Sequence, residues 1–128
     1  MDVYKTHGAF SWSELMTSDP TAAASFYGAL FGWSVKAMGE EMGGYRVVGI
    51  GGTGVGGIMG MPPDAAPMPP HWGCYVTVDN VDDTLAKCQA LGGNTIMPPM
   101  DVPTVGRMAV LQDPQGAVLS IMQYLPAS

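Results

Sequence analysis

The sequence predicts an α+β fold in which one β-α-β-β-β order is laid down twice. Three observations predict it. Two apolar runs, Arg107–Leu111 and Ala117–Met122, flank the turn Asp113-Pro114-Gln115-Gly116, and a matching pair, Tyr45–Ile50 and Val55–Met61, flanks Gly51-Gly52-Thr53-Gly54. The two hairpins repeat at an offset of 61 residues, Arg46 to Arg107 and Met59 to Ser120. Each hairpin is preceded, at the same offset, by a strand pattern and a helix pattern, and a proline-rich stretch separates the two sets.

Taken in order, residues 1–8 read as a loose lead-in. Phe10–Thr17 alternates as a strand, with Phe10, Trp12, Glu14 and Met16 on one face and Ser11, Ser13, Leu15 and Thr17 on the other. Asp19 and Pro20 suit a helix cap and first turn. Ala23, Phe26, Tyr27 and Leu30 then form an apolar stripe that ends at Gly32. Trp33–Ala37 begins a short strand, and Gly43-Gly44 turns the chain into the first hairpin. Met61–Pro70 carries too many prolines for a helix or a central strand and is expected to connect the halves.

The order then repeats. His71–Val78 is a strand, with His71, Gly73, Tyr75 and Thr77 facing one way and Trp72, Cys74, Val76 and Val78 the other. A helix runs from about Asp79 or Asn80 to Leu91, with Val81, Leu85, Cys88 and Leu91 as its stripe, and Gly92-Gly93 stops it. Asn94–Met97 is a short strand, and the prolines at 98, 99 and 103 are expected to form a loop into the closing hairpin. The expected units span about 8–61 and 70–124 within one domain of 128 residues.

Composition excludes several classes. A net charge of −6 with five Lys plus Arg lacks the basic footprint that nucleic acid or an anionic membrane requires. No apolar run reaches the length of a membrane span, and the first residues lack a signal-peptide pattern, so a cytoplasmic location is expected. Cys74 and Cys88 are read as reduced core cysteines. Charged residues make up only 12% of the chain, which points to a covered surface and, most simply, a homodimer. The run Gly51–Gly57 is no phosphate loop, because neither a GK[ST] ending nor a helix follows it. No other cofactor motif is present, so none is expected.

The paired units, the FYGALFGW segment after Ser18-Asp19-Pro20, VTVDNVDDTLAKCQALGG and DPQGAVLSIMQ together resemble the vicinal oxygen chelate superfamily of glyoxalases, bleomycin-resistance proteins and extradiol dioxygenases. WSEL and VGGIM suggest a glyoxalase-like or hydroxylase-like branch. The resemblance implies a curved, barrel-like mixed sheet with helices outside and a small-molecule site on the concave face. Metal-dependent members take His or Glu from the first and last strand of each unit. Those positions map here to Trp12, Met59, Gly73 and Ser120, which do not form a metal set, and no metal is expected.

The polar side chains expected on the concave face are Glu14, His71, Tyr75, Thr77 and Ser120. Glu14 is the candidate acid or base, its carboxyl pushed towards neutrality unless a donor such as Tyr75 stands close. The alternative is a satisfied buried carboxylate with no chemical role. Trp12, Met59, His71, Tyr75, Ser120 and Met122 are the candidate ligand-binding residues, although a histidine placed like His71, just after Pro69-Pro70, is more often a solvent-edge residue. Two functions remain open. One is a metal-independent lyase, isomerase or hydroxylase-like enzyme on a small organic substrate. The other is a non-catalytic protein that sequesters an apolar or antibiotic-like compound.

Overall fold

The computed structural model describes residues 1–39, 44–61 and 68–126. The elements are β1 (Phe10–Thr17), α1 (Pro20–Phe31), β2 (Ser34–Ala37), β3 (Arg46–Ile50), β4 (Thr53–Gly60), β5 (His71–Thr77), α2 (Val81–Ala90), β6 (Asn94–Val102), β7 (Gly106–Gln112) and β8 (Val118–Tyr124). The order β-α-β-β-β therefore occurs twice. Gly43 of the expected Gly43-Gly44 turn, and residues 62–67 of the proline-rich connector, lie outside the described residues.

The chain forms two compact units, residues 12–73 and residues 1–11 with 74–128. In the first, β1 runs parallel to β4, and β4, β3 and β2 are successively antiparallel. Leu15, Val48 and Ile58 form its core, with Ala23, Ala24 and Tyr27 of α1 and Trp33 packed against it. In the second, β5 runs parallel to β8, and β8, β7 and β6 are successively antiparallel. Val78, Val81, Leu85, Ala109 and Ile121 form its core, with Leu111 beside it.

Both helices start as their sequences dictate. The Asp19 carboxylate accepts the Ala22 N–H and the Asn80 side-chain oxygen accepts the Asp83 N–H, each three residues on. The helices bury different amounts. Val81 and Leu85 of α2 are buried, whereas α1 has no buried residue. The stripe expected on α1 is split: Ala23 and Tyr27 turn towards the sheet, while Phe26 and Leu30, to one side of them on the helix, are 60% and 57% exposed.

The residues before β1 are not loose. Gly8 N–H donates to Thr77 O, Thr77 N–H to Ala9 O, and the Thr77 hydroxyl to Val3 O, which fastens them to β5. Strand β6 continues through Pro98 and Pro99 instead of opening into a loop. It pairs with β7 alone in its unit and shifts register twice, so the missing proline N–H groups cost no ladder bonds. Cys74 is exposed and only Cys88 is partly covered, so Cys74 is not the core cysteine that strand alternation suggested.

The register also corrects the hairpin offset. Glu14 lies beside Gly57 on β4, and Tyr75, 61 residues later, lies beside Ser120 on β8. Arg46 faces Ile58, and the residue facing Ile121 is Ala109. The hairpins therefore repeat at 63 residues, because the second unit carries two more residues ahead of its hairpin. Arg46 corresponds to Ala109 rather than Arg107, Gly57 to Ser120, and Met59 to Met122. An even shift leaves every side chain on its expected face, so face assignment survives while residue equivalence changes.

Candidate active site

Leu15 and Ile58 are partners across β1 and β4 and pack towards α1. Trp12, Glu14 and Met16 alternate with them and occupy the sheet face turned away from the helix. On that face the Trp12 Nε1–H donates to the Tyr45 hydroxyl at 2.8 Å, and the Tyr45 hydroxyl donates to Glu14 Oε2 at 2.8 Å. Trp12, Glu14 and Tyr45 are all half-buried. The phenol both accepts and donates, so each bond polarises the other, and the Glu14 oxygen is held by a strong charge-assisted donor.

Glycines in β4 make room for this chain. A Cβ at Gly57 would fall on the Tyr45 hydroxyl. A Cβ at Gly54 would lie 3.1 Å from Val47 Cγ1 and 3.7 Å from the Trp12 ring. The glycine-rich run thus does two jobs. Gly51 and Gly52, with φ of 57° and 82°, form a two-residue turn, shorter than the four-residue turn expected, while Gly54 and Gly57 are beds for aromatic side chains.

The other candidates fall as follows. Met59 pairs with Met16 and is half-buried. His71 is half-buried and its Nδ1 lies 3.0 Å from Pro69 O. In the second unit Tyr75 is 7% exposed, its hydroxyl 3.9 Å from Met108 Sδ, with Ser120 beside it and Met122 buried next to Thr77. Trp12 and Glu14 are joined through Tyr45, which sequence reasoning passed over as a strand residue. The signal was available: a glycine directly across from Glu14 in a strand marks close approach by another group.

The two hairpin arginines are held differently, Arg46 by neutral acceptors and Arg107 by carboxylates. Arg46 donates to Gly44 O and the Thr21 hydroxyl. Arg107 is bound by Asp82 at 2.8 Å and Asp101 at 3.1 Å, and its guanidinium holds the Asp82 carboxyl below the usual carboxylate range.

The metal that the fold family implies does not fit these residues. By register the first-strand and last-strand positions are Trp12 with Gly57 in one unit and Gly73 with Ser120 in the other. Indole N–H is only a donor, glycine has no side chain, and one neutral hydroxyl binds a hard cation weakly. In the first unit the space above Gly57 is taken by the Tyr45 hydroxyl. Among the described residues no three His, Cys, Asp or Glu side chains gather as a ligand set.

On the opposite face of the same sheet is an open pocket of about 430 Å³. Ser13, Gly56 and Val48 form its floor across β1, β4 and β3, and Tyr27, Phe31, Trp33, Val55 and Trp72 form its walls. The Trp72 Nε1–H donates to the Tyr27 hydroxyl at 3.2 Å.

Paired β-α-β-β-β units with mixed sheets define the glyoxalase class of fold. The chain belongs to the Glyoxalase/Bleomycin resistance protein/Dioxygenase superfamily, whose family model matches residues 9–121. It is 43% identical over 120 residues to "Putative glyoxylase CFP32" of Mycobacterium tuberculosis, covering 93% of this chain and 45% of that protein. It is 34% identical over 127 residues to "Anthracycline biosynthesis protein DnrV" of Streptomyces peucetius, covering 89% of this chain and 46% of that protein. The chain thus spans about half the length of the curated relatives it matches. Among solved structures, a Streptomyces coelicolor methylmalonyl-CoA epimerase variant in complex with 2-nitronate-propionyl-CoA superposes with a TM-score of 0.66 at 17% identity, covering 96% of this chain and 99% of that one. That likeness shows the fold. Among the described residues no helix is long and apolar enough to cross a membrane.

Proposed function

We propose that this chain binds a small organic molecule on the sheet face that carries Glu14, and that Glu14 acts there as a general base without a metal ion. The supporting observation is the Trp12–Tyr45–Glu14 chain, with both bonds at 2.8 Å. The phenol fixes the Glu14 carboxylate in one orientation, and a fixed carboxylate is the kind of group that takes a proton from a positioned carbon acid. The substrate class is a carbon acid, a ketone or thioester with a removable proton next to its carbonyl. Proton abstraction next to a carbonyl serves lyases and isomerases alike. The relative named for anthracycline biosynthesis and the fold-mates named as epimerases of a CoA ester are consistent with that class.

In this reading Trp12 and Met59 supply apolar surface to the ligand, and residues 1–128 work as one domain in a homodimer, for which a light-scattering mass of two chains at micromolar concentration is the check. The role of Glu14 is tested by comparing wild type with Glu14→Gln against a panel of cyclic ketones and acyl thioesters. The substitution should abolish turnover while calorimetric affinity changes by less than a few-fold. Tight binding with no turnover in either protein would instead establish sequestration.

A further inference from the structure

We infer that the pocket between α1 and its sheet is a second binding site, for an uncharged planar aromatic molecule bearing a hydrogen-bond acceptor. The site is independent of Glu14, which occupies the other face of the same sheet.

The two units differ at equivalent places. Helix offset sets Tyr27 against Cys88, and strand register sets Ser34 against Asn94, hence Trp33 against Gly93. At that place the second unit is closed: a Cβ on Gly93 would meet Cys88 Sγ at 2.5 Å and Gln112 O at 2.8 Å. The fold therefore completes its helix-on-sheet packing with small residues. In the first unit the same two places hold Tyr27 and Trp33, and the space between helix and sheet stays open. Tyr27 and Trp33 pack against the Leu15–Val48–Ile58 core and at the same time wall the pocket, where the second unit uses small residues.

Its chemistry selects the ligand. Four aromatic rings converge, with centroids 4.9 Å apart for Phe31 and Trp33, 5.3 Å for Tyr27 and Trp72, and 6.1 Å for Trp33 and Trp72. Trp33 and Trp72 stand at 78°, offering both a face and an edge to a flat guest. No lining side chain carries a formal charge, so an ionised ligand would lose its hydration without compensation. The Tyr27 hydroxyl accepts from Trp72 and keeps its own proton to give to a ligand acceptor. The volume suits a ligand of two or three fused rings. Phe31 and Trp72 are 58% and 42% exposed, an aromatic surface that such a guest would cover.

The test is calorimetric titration of the full chain with 2-naphthol and with naphthalene-2-sulfonate, in wild type, Phe31→Ala, Val55→Trp and Glu14→Gln. Phe31→Ala removes a wall and Val55→Trp fills the space; both positions are exposed, and far-UV circular dichroism verifies folding. The expected result is saturable one-to-one binding of naphthol, weakened at least tenfold by either pocket substitution and unchanged in Glu14→Gln. The sulfonate should bind at least tenfold more weakly. Absence of saturation below millimolar naphthol, equal binding of the sulfonate, or an affinity that follows Glu14→Gln and ignores the pocket substitutions would overturn the inference. Loss of turnover in Glu14→Gln is a separate readout, so this site and the Glu14 site fail independently.

Discussion

Gly57→Ala isolates the contact on which the Glu14 arrangement depends. The backbone of Gly57 needs no positive φ, so the added methyl acts through the Tyr45 phenol, whose hydroxyl and adjoining ring carbons it would displace. Moving that hydroxyl breaks the bond to the Glu14 carboxylate, worth about 1.5–3 kcal/mol, and the bond from the Trp12 indole, worth about 0.5–1.5 kcal/mol. Replacing a mid-strand glycine by alanine returns about 0.5–1 kcal/mol. The net loss is then about 1–4 kcal/mol. In a Tyr45→Ala background both bonds are already gone, and Gly57→Ala should stabilise by about 0.5–1 kcal/mol. The double-mutant cycle, read from urea unfolding followed by tryptophan fluorescence and far-UV circular dichroism, should give a coupling of about 2–4.5 kcal/mol. Additivity within about 0.5 kcal/mol would show that Tyr45 does not rest on Gly57 and that the chain of bonds is not made.

Two further outcomes follow from the packing and the charges. Ile58 and Ile121 are the fully buried centres of the two cores, so Ile58→Ala and Ile121→Ala should each cost about 2–5 kcal/mol in urea unfolding. Asp82 has a folded pKa below its ordinary 3.8, chiefly through its hydrogen bond to Arg107. Its stabilisation is therefore complete above the ordinary value and is lost as pH falls through the lowered one. Asp82→Asn should make the urea midpoint less sensitive to pH between 5 and 3 than in wild type.

Much of this was legible in the sequence because it follows from alternation and punctuation. Leu15 and Glu14 sort to opposite faces, Asp19 and Asn80 cap, and Asp113 accepts the Gln115 and Ala117 N–H groups in the closing turn. What escaped was pairing at a distance. No local pattern reveals that two extra residues ahead of the second hairpin move Ser120 into correspondence with Gly57 rather than Met59. Nor does local pattern say that Tyr45, 31 residues from Glu14, will bond it. Pro98 and Pro99 read as a loop because their strand's place at the edge of its unit is a tertiary fact. Phe26 and Leu30 joined the expected stripe because a wide apolar arc on a helix does not say which part the sheet will cover.

The proposed role of Glu14, held by Tyr45, is to move a proton without a metal ion. It is tested most directly by mass-spectrometric detection of deuterium uptake from D2O into ketone and thioester carbon acids, using protein treated with EDTA. Treated wild-type protein should show uptake, Glu14→Gln none, and Tyr45→Phe a reduced rate. Uptake that disappears with EDTA and returns with added zinc, nickel or manganese, or that persists in Glu14→Gln, would contradict that role.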